Sequence, residues 1–220
     1  MAKSAGSFCE YHSMDKSIQV SGIILAGGAS RRLEKNKALE RIGGKTIIER
    51  VIDSLVPLTT EVLAVVARPE QATALRLPPS LRVVSDRYPG GGSLGGIFTG
   101  LEACAESWSL VVACDMPFLN RELLRHLIGE SSNVDAVIPR LGDQPEPLHA
   151  LYSKACLAPM ERMLRAGDLK IAPLFDAVRV RYVDEAAIDR IDPRRLSFFN
   201  INTQADLEEA RRYFRQGPPA

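Results

Sequence analysis

Hydrophobic and polar residues along the chain alternate between short apolar runs and stretches with helical spacing. The apolar runs predict strands at 21–26, 61–67, 81–85, 110–114 and 134–139. Apolar residues three and four positions apart predict helices at 46–56, 70–75, 94–104 and 121–128. Strands that alternate with helices indicate right-handed crossovers and a mainly parallel sheet covered on both faces.

The last third of the sequence is less regular but follows the same pattern. It predicts strands at 148–152 and 177–183 and helices at 154–166 and 205–214, and Thr203 and Asp206 resemble a capping box at the start of the last helix. We therefore expect an α/β fold of three layers, α/β/α, with a mainly parallel Rossmann-like sheet of about seven strands. We expect one domain over 18–215, a mobile polar tail over 1–17 and a short tail over 216–220.

Composition and charge narrow the class of protein. Hydrophobic residues make up 45% and charged residues 25%, which is typical of a globular chain. Lys+Arg is 28 and Asp+Glu is 27, so the basic excess typical of proteins that bind nucleic acid or membrane surfaces is missing. Apolar runs stay short of the roughly 18 residues that span a bilayer, and residues 1–17 do not resemble a signal peptide. These features predict a soluble cytoplasmic enzyme or binding domain.

The four cysteines form no C-x-x-C pair, so they predict neither a zinc site nor a redox motif. Cys104 and Cys114 lie in apolar surroundings. Buried thiols in a reducing compartment are a better interpretation of both than catalytic nucleophiles.

The first glycine-rich segment carries the clearest chemical signal. The strand at 21–26 runs into Gly27 and Gly28, and Ser30 and the cations Arg31, Arg32, Lys35 and Lys37 follow. Backbone N–H donors beside cations are what a phosphate group needs, and ligands of open α/β sheets bind beyond the carboxyl ends of the strands. The pattern is neither a Walker loop nor the dinucleotide fingerprint. An ordinary strand-to-helix turn with surface cations remains the alternative.

Two aspartates follow apolar strands, Asp86 after the third and Asp115 after the fourth. A carboxylate beside bound phosphates favours Mg²⁺, which prefers hard oxygen ligands. Each aspartate alone is also compatible with a helix cap or a loop. Together with the cationic loop, they favour a nucleotide–metal site.

These motifs resemble a known family. The matching stretches, all read from this sequence, are Leu25-Ala26-Gly27-Gly28-x-Ser30-x-Arg32 with Lys37-Ala38-Leu39, Asp86 with the loop ending Leu94-Gly95-Gly96-Ile97, Cys114-Asp115-Met116-Pro117-Phe118, Glu146-Pro147-Leu148-His149, and Asn200-Ile201-Asn202-Thr203. Over roughly residues 20–214, the chain is similar to the molybdenum cofactor guanylyltransferases, a branch of the Rossmann-like nucleotidyltransferases.

The resemblance implies a reaction and its substrates. The terminal phosphate of molybdenum–molybdopterin would attack the α-phosphate of GTP, with Mg²⁺ as cofactor, to release pyrophosphate and form the guanine dinucleotide cofactor. The attacking group is already a phosphate anion, so positioning and electrostatic stabilisation would carry the catalysis. The resemblance also allows a transient contact with molybdoenzymes or their chaperones, and it involves neither nucleic acid nor a membrane.

The resemblance implies site residues as well. Catalytic roles are implied for Arg32, Lys37 and Asp115, and Asp115 would also be the metal ligand. Nucleotide contacts are implied for Leu25, Ala26, Gly27, Gly28, Ser30, Lys37, Asp86 and Asp115. The pterin side is implied to consist of Gly92, Leu94, Gly95, Gly96, Pro147, Leu148 and His149.

The chain departs from the family pattern at a few positions. Glu34 and Asn36 replace the usual Gly and Asp, and the region after the second strand lacks the usual Asn that contacts the nucleoside. Three alternatives therefore stay open: a cytidylyltransferase for the same pterin, a nucleotidyltransferase for a sugar or isoprenoid phosphate, and a non-catalytic nucleotide-binding regulator.

Overall fold

The structure is a computed structural model that describes residues 18–27, 37–78 and 81–216. In these residues the strands are β1 (Val20–Leu25), β2 (Arg41–Ile42), β3 (Lys45–Thr46), β4 (Glu61–Val66), β5 (Arg82–Ser85), β6 (Trp108–Ala113), β7 (Ala136–Leu141), β8 (Gln144–Pro145), β9 (His149–Ser153) and β10 (Val180–Val183). The α-helices of the same residues are α1 (Ile47–Leu55), α2 (Pro69–Ala74), α3 (Gly92–Ala103), α4 (Arg121–Gly129), α5 (Leu157–Ala166), α6 (Leu174–Ala177), α7 (Glu185–Ile191) and α8 (Gln204–Gln216). Short 3₁₀ helices cover Lys37–Leu39, Val56–Leu58, Lys154–Cys156 and Leu196–Phe198.

Seven of these strands form the main sheet, in the order β10-β7-β9-β6-β1-β4-β5, and β8 pairs with β7. All the neighbouring pairs are parallel except the two that β9 makes with β6 and β7. Thus β9 alone runs against the other six strands. The prediction of a mainly parallel sheet of about seven strands is confirmed.

Strand β1 lies inside the sheet and is buried on both faces, which explains its largely apolar sequence. Ile24 points to one core cluster, which contains residues of α1, α4 and α7. Ile23 points to the other, which contains residues of α3, α5 and α6. The helices therefore cover both faces of the sheet, as the three-layer prediction requires.

Close packing explains the glycine in the middle of α3. A Cβ atom added at Gly100 would lie 2.6 Å from the Ile23 side chain, so a larger residue would push α3 away from β1. Glycine usually weakens a helix interior, but here it allows the helix backbone to approach the sheet.

A third cluster lies at one end of the fold, under helix α8. Ile42 of the β2–β3 hairpin packs there with Ile201, Leu207 and Ala210, and Phe118 and Phe199 cover the cluster. At the start of α8, Thr203 Oγ1 accepts from Asp206 N at 3.2 Å, and the Asp206 carboxylate accepts from Thr203 N at 2.7 Å. This reciprocal pair is the capping box predicted from the sequence.

Some boundaries differ from the prediction for identifiable reasons. Helix α3 begins at Gly92, two residues before the predicted start, because the preceding glycine-rich segment passes directly into the helix. Strand β10 is shorter than predicted, since Ala177 ends α6. Helices α6 and α7 and the β2–β3 hairpin were not predicted. None of the helices in the described part of the chain has both the length and the apolarity needed to span a bilayer.

Candidate nucleotide site at the carboxyl edge of the sheet

The predicted site residues that the structure describes converge on the carboxyl edge of the sheet. Beyond their strands lie, in order across the edge, Asp86 (β5), Ala67 (β4), Gly27 (β1) and Asp115 (β6). On the other side of β6, the antiparallel strand β9 begins at the same edge with His149, which pairs with Val112. Ligands of such sheets bind where the strand order reverses, and here that point lies between β1 and β6.

Backbone hydrogen bonds extend the sheet past its strands toward this edge. Ala26 N donates to Val65 O at 2.8 Å, Cys114 N donates to Leu25 O at 3.1 Å, and Ala113 N donates to Leu148 O at 3.1 Å. The ends of β1, β4, β6 and β9 therefore form one continuous, rigid platform. Residues on a platform of this kind keep fixed relative positions.

Gly27 has a steric role at this platform. A Cβ atom at this position would lie 2.8 Å from the backbone N of Ala67, closer than real Cβ atoms come. The glycine therefore lets the segment after β1 lie directly against the end of β4. Of the other predicted residues of this segment, Gly28, Ser30 and Arg32 lie outside the described residues. For Lys37 the structure gives the backbone position alone, at the start of a 3₁₀ helix.

Asp86 organises the loop that leads into α3. Its Oδ1 accepts from Tyr88 N and from Thr99 Oγ1, each at 3.0 Å, and Thr99 Oγ1 in turn accepts from Arg87 N at 3.0 Å. One carboxylate oxygen of Asp86 is thus committed to the fold of its own loop. Asp86 Oδ1 also lies 3.4 Å from where a Cβ of Gly95 would be.

The amino end of α3 points to the same edge. Gly91, without a side chain to cap the helix, precedes it, and Gly92 has a φ of +60°. The first N–H groups of a helix attract anions because they have no partner inside the helix. Gly95 and Gly96 are buried, with Tyr88 and Leu25 as their neighbours, so their absent side chains allow the helix to pack closely here. The Leu94 side chain is fully buried in the core, so the backbone of Leu94 is the part that faces the edge of the sheet.

Asp115 lies at the centre of the edge, and the segment before α8 packs against it. Ile201 N donates to the carbonyl oxygen of Asp115 at 3.0 Å. This contact brings Asn200 and Asn202 to the site, although the sequence prediction did not include them among the site residues. The signal was present in the sequence, as the Asn200-Ile201-Asn202-Thr203 motif, but its place in the fold depends on tertiary packing.

Burial raises the pKa of the Cys114 thiol to about 12, and the neighbouring Asp115 carboxylate adds to this effect. Burial also raises the pKa of the Cys104 thiol. Both thiols are protonated at neutral pH, as the sequence interpretation requires, and a protonated thiol is a poor nucleophile.

The pterin-side segment turns sharply at the edge. His149 N donates to Glu146 O at 3.2 Å, and the buried Tyr152 hydroxyl donates to Pro147 O at 3.0 Å. Pro147 and Leu148 are half-buried at this turn. The His149 ring is fully buried, 4.9 Å from the Phe198 ring, and burial lowers its pKa to about 4. The His149 side chain therefore faces the core, and the backbone of His149 is the part that lies at the edge of the sheet.

Two further residues lie at this edge outside the implied site residues, although Glu146 belongs to a stretch that carries the resemblance. Glu146 is half-buried, and burial raises the pKa of its carboxyl group. Gln71 Oε1 accepts from Ala67 N at 2.8 Å and from Arg68 N at 3.2 Å, so this side chain caps the end of β4, the place where the sequence lacks the expected Asn.

Comparisons with known proteins agree with this geometry. The family model described as MobA-like NTP transferase domain matches residues 22–181. A probable molybdenum cofactor guanylyltransferase of Pelotomaculum thermopropionicum is 41% identical over 194 residues, which cover 88% of this chain and 93% of the relative. The molybdenum cofactor guanylyltransferase of Desulfosudis oleivorans is 36% identical over 200 residues, which cover 90% of this chain and 97% of the relative.

A solved structure is similar as well. The crystal structure of molybdopterin-guanine dinucleotide biosynthesis protein A from Archaeoglobus fulgidus superposes with a TM-score of 0.78 at 32% identity, and the match covers 90% of this chain and all of that one. The resemblance found in the sequence is thus confirmed, and the chain belongs to the family of MobA-like NTP transferases.

Proposed function

We propose that this protein transfers GMP from GTP to the terminal phosphate of molybdenum–molybdopterin and releases pyrophosphate. The observation that carries the proposal is the nearly full-length similarity to molybdenum cofactor guanylyltransferases, at 41% and 36% identity. The alternatives of a cytidylyltransferase, a sugar- or isoprenoid-phosphate enzyme and a non-catalytic regulator are not favoured by these relatives.

On the nucleotide side, GTP would lie across the edge from β5 to β1. Backbone groups of Leu25, Ala26 and Gly27, with Gly28 and Ser30 after them, would contact the nucleotide. Asp86 and Asp115 are separated by three strand spacings, about 14 Å. That span suits the two ends of one nucleotide, with Asp86 toward the nucleoside and Asp115 toward the phosphates.

Cations of the segment after β1 would hold the triphosphate. Arg32 and Lys37 follow the glycine-rich segment in sequence. Forked and mobile cations neutralise phosphate oxygens and stabilise the charge that develops on a leaving pyrophosphate. We assign that role to both residues.

Mg²⁺ fits the donor set around Asp115. The ion usually takes one or two carboxylates and completes its shell with substrate phosphates and water. Asp115 supplies a hard carboxylate oxygen at the centre of the edge, and its backbone carbonyl is held by Ile201 N of the segment before α8. When bound, Mg²⁺ would neutralise phosphate charge at the reacting end of GTP.

The pterin would approach from the β9 side of β6. Gly92 opens α3, whose amino end attracts anions, and Gly95 and Gly96 lie in the turn that follows, where Gly95 N donates to Gly91 O at 3.1 Å. Pro147 and Leu148 would form an apolar wall, and Leu94 and His149 would hold these backbones in place from the core.

The reaction needs no nucleophilic side chain. A new bond forms between an oxygen of the pterin's terminal phosphate and the α-phosphorus of GTP, and the bond from that phosphorus to the bridging oxygen of the β-phosphate breaks. The electron pair leaves with pyrophosphate. The chain's residues would align the two anions and offset their charge, which is the main source of catalysis in phosphoryl-type transfer.

The proposal also places the protein in the cytoplasm and its product with molybdoenzymes or their chaperones. The free thiols of Cys104, Cys114 and Cys156 support a reducing compartment.

The test is a transfer assay with purified protein, Mg²⁺, molybdenum–molybdopterin and one nucleoside triphosphate at a time. We expect pyrophosphate release and a guanine dinucleotide product, identified by mass, with GTP and not with CTP, ATP or UTP. A cytosine dinucleotide product would favour the cytidylyltransferase. Failure of every triphosphate in the presence of the pterin would refute the proposed function.

A further inference from the structure

Helix α8 connects two distant parts of the candidate site. The residues before it contact Asp115, through Ile201 N and the Asp115 carbonyl oxygen at 3.0 Å. The helix then runs for 13 residues, a length of about 20 Å. Its far end lies on the β2–β3 hairpin, which follows the 3₁₀ helix that begins at Lys37.

Two side chains of α8 contact the region from Lys37 to the hairpin: Arg211 contacts the start of the hairpin, and Phe214 contacts its turn. Arg211 donates from Nε to the carbonyl oxygen of Arg41 and from Nη2 to the carboxylate of Glu40, both at 3.3 Å. The Phe214 ring lies on the turn of the hairpin, so that a Cβ on Gly43 would be only 2.0 Å from the ring.

The hairpin is also held from helix α1. Arg50 donates from Nε and Nη2 to the carbonyl oxygen of Ile42, at 2.9 and 2.6 Å, and its guanidinium lies 4.4 Å from the centre of the Phe214 ring. The hairpin turn and the Arg50 guanidinium thus both lie against the Phe214 ring. We call Arg50, Arg211 and Phe214 the hairpin clamp.

The clamp has more influence on position than on overall stability. Phe214 is 42% exposed, so it contributes little to the buried core. Each hairpin strand has only two residues, and a pair of strands this short is not stable by itself. The position of the hairpin, and of the residues leading into it, therefore depends on what packs against it.

We propose that Arg211 and Phe214 are positioning residues that hold Lys37 at the correct distance from Asp115. This inference rests on the proposed function, in which Lys37 binds the phosphates of GTP. The segment before α8 contacts Asp115, and α8 itself holds Glu40 and Arg41, which follow Lys37 closely in the chain. Together these contacts set the position of the Lys37 backbone relative to Asp115.

The test is a double-mutant cycle on the dissociation constant of Mg²⁺–GTP, measured by calorimetry with the full chain. Phe214→Ala should weaken GTP binding about tenfold, because a displacement of about 1 Å is costly at such sites. In a Lys37→Ala background, the same change should weaken binding less than about twofold, since the two residues act as one unit. Phe214→Tyr keeps the ring and should restore the affinity.

The matched control is Tyr182→Ala on the edge strand β10. Tyr182 is 38% exposed and also stacks with an arginine, Arg140, at 4.8 Å. Its loss should leave GTP affinity unchanged. Hydrogen exchange gives a second readout, in which Phe214→Ala should speed exchange at residues 38–46 and not at β6.

The outcomes separate the two proposals. If the wild-type chain does not bind GTP, the proposed function fails, and unchanged exchange at 38–46 in Phe214→Ala would then overturn the clamp as well. If the wild-type chain binds GTP and the effects of Phe214→Ala and Lys37→Ala are additive, the clamp acts on general packing and the positioning role is refuted.

Discussion

Asp86 and Asp115 follow apolar strands in the same way in the sequence, but their surroundings in the fold differ. Asp86 follows the edge strand β5, and one of its oxygens accepts two hydrogen bonds from its own loop and from α3. Asp115 follows the central strand β6, and its backbone is held by Ile201 from the segment before α8.

The same pattern thus produces a loop-building carboxylate in one place and a candidate metal ligand in the other. Sheet position accounts for the difference, because the centre of the edge is where the strand order reverses and ligands bind. An edge strand has fewer neighbours, so its terminal loop depends on hydrogen bonds within itself. The contrast predicts which substitutions affect turnover and which affect stability.

The largest effect is expected for Asp115→Asn. Loss of the carboxylate charge should lower kcat in the transfer assay by about 10³-fold, as for other groups that stabilise transition-state charge. The melting temperature should shift by less than about 3 °C, since amide and carboxylate have the same shape. Asp176→Asn, at an exposed position of α6, is the control. Normal turnover of Asp115→Asn would remove the metal role from this residue.

The next effect is the dependence of stability on pH that the buried His149 ring causes. The His149 pKa falls from its ordinary value of 6.5 to about 4 because the ring is buried. The unfolded chain therefore binds a proton in this window that the folded chain does not. Stability is fully present above pH 6.5 and is lost as the pH falls toward 4, by about 3 kcal/mol.

Urea unfolding at pH 7 and at pH 4.5 measures this loss. His149→Phe has nothing to protonate at this position, so its stability should fall less between the two pH values than that of the wild type. The carboxylates titrate in both proteins, so subtracting the loss of unfolding free energy in His149→Phe from that in the wild type leaves the contribution of His149. Identical pH dependence in both would show that His149 is not the group responsible.

A smaller effect is expected on the Asp86 side. Asp86→Ala leaves Tyr88 N and Thr99 Oγ1 without their acceptor and should cost about 2 kcal/mol of unfolding free energy. Asp86→Asn keeps an acceptor oxygen and should cost less than half as much. Chemical denaturation of both variants gives the comparison. Equal stability of the two would show that the loop does not depend on this oxygen.

The smallest effects are expected at two glycines. A Cβ at Gly95 would lie 3.1 Å from Tyr88 O, so Gly95→Ala should cost about 1 kcal/mol. A Cβ at Gly129, the last residue of α4, would meet open space, so Gly129→Ala should add about 0.5 kcal/mol. Thermal unfolding distinguishes the signs, and a loss at Gly129 would contradict the steric explanation.

The sequence predicted most of the sheet because its inner strands are largely apolar runs buried on both faces. It also predicted that the candidate site residues meet at the carboxyl edge, since parallel strands place their ends together. The reversed direction of β9 could not be predicted from the sequence. The antiparallel pairing of β9 with β6 depends on tertiary packing, and the apolar run at 148–152 carries no signal for strand direction. Helix α7 begins after Asp184, a residue type that favours helix starts, and the Asp184 carboxylate accepts from Ala187 N at 2.9 Å.

The site was predicted less completely than the fold. The sequence placed Asp115 after one apolar strand and His149 in another, but it could not show that these strands are neighbours, that His149 is buried or that Leu94 faces the core. The approach of Asn200 and Asn202 to Asp115 depends on the packing of α8, which joins residues far apart in sequence. Long-range contacts of this kind leave no periodic pattern.

The most direct test of the account compares melting temperatures with and without Mg²⁺ for GTP, CTP, ATP and UTP at equal concentration. A ligand that binds the folded state alone stabilises it by about 2.7 kcal/mol at a hundredfold excess over Kd. We predict a selective shift with GTP that requires Mg²⁺ in the wild type and in the control Asp176→Asn but loses its Mg²⁺ dependence in Asp115→Asn. An equal shift with CTP, or none with any nucleotide, would contradict the account.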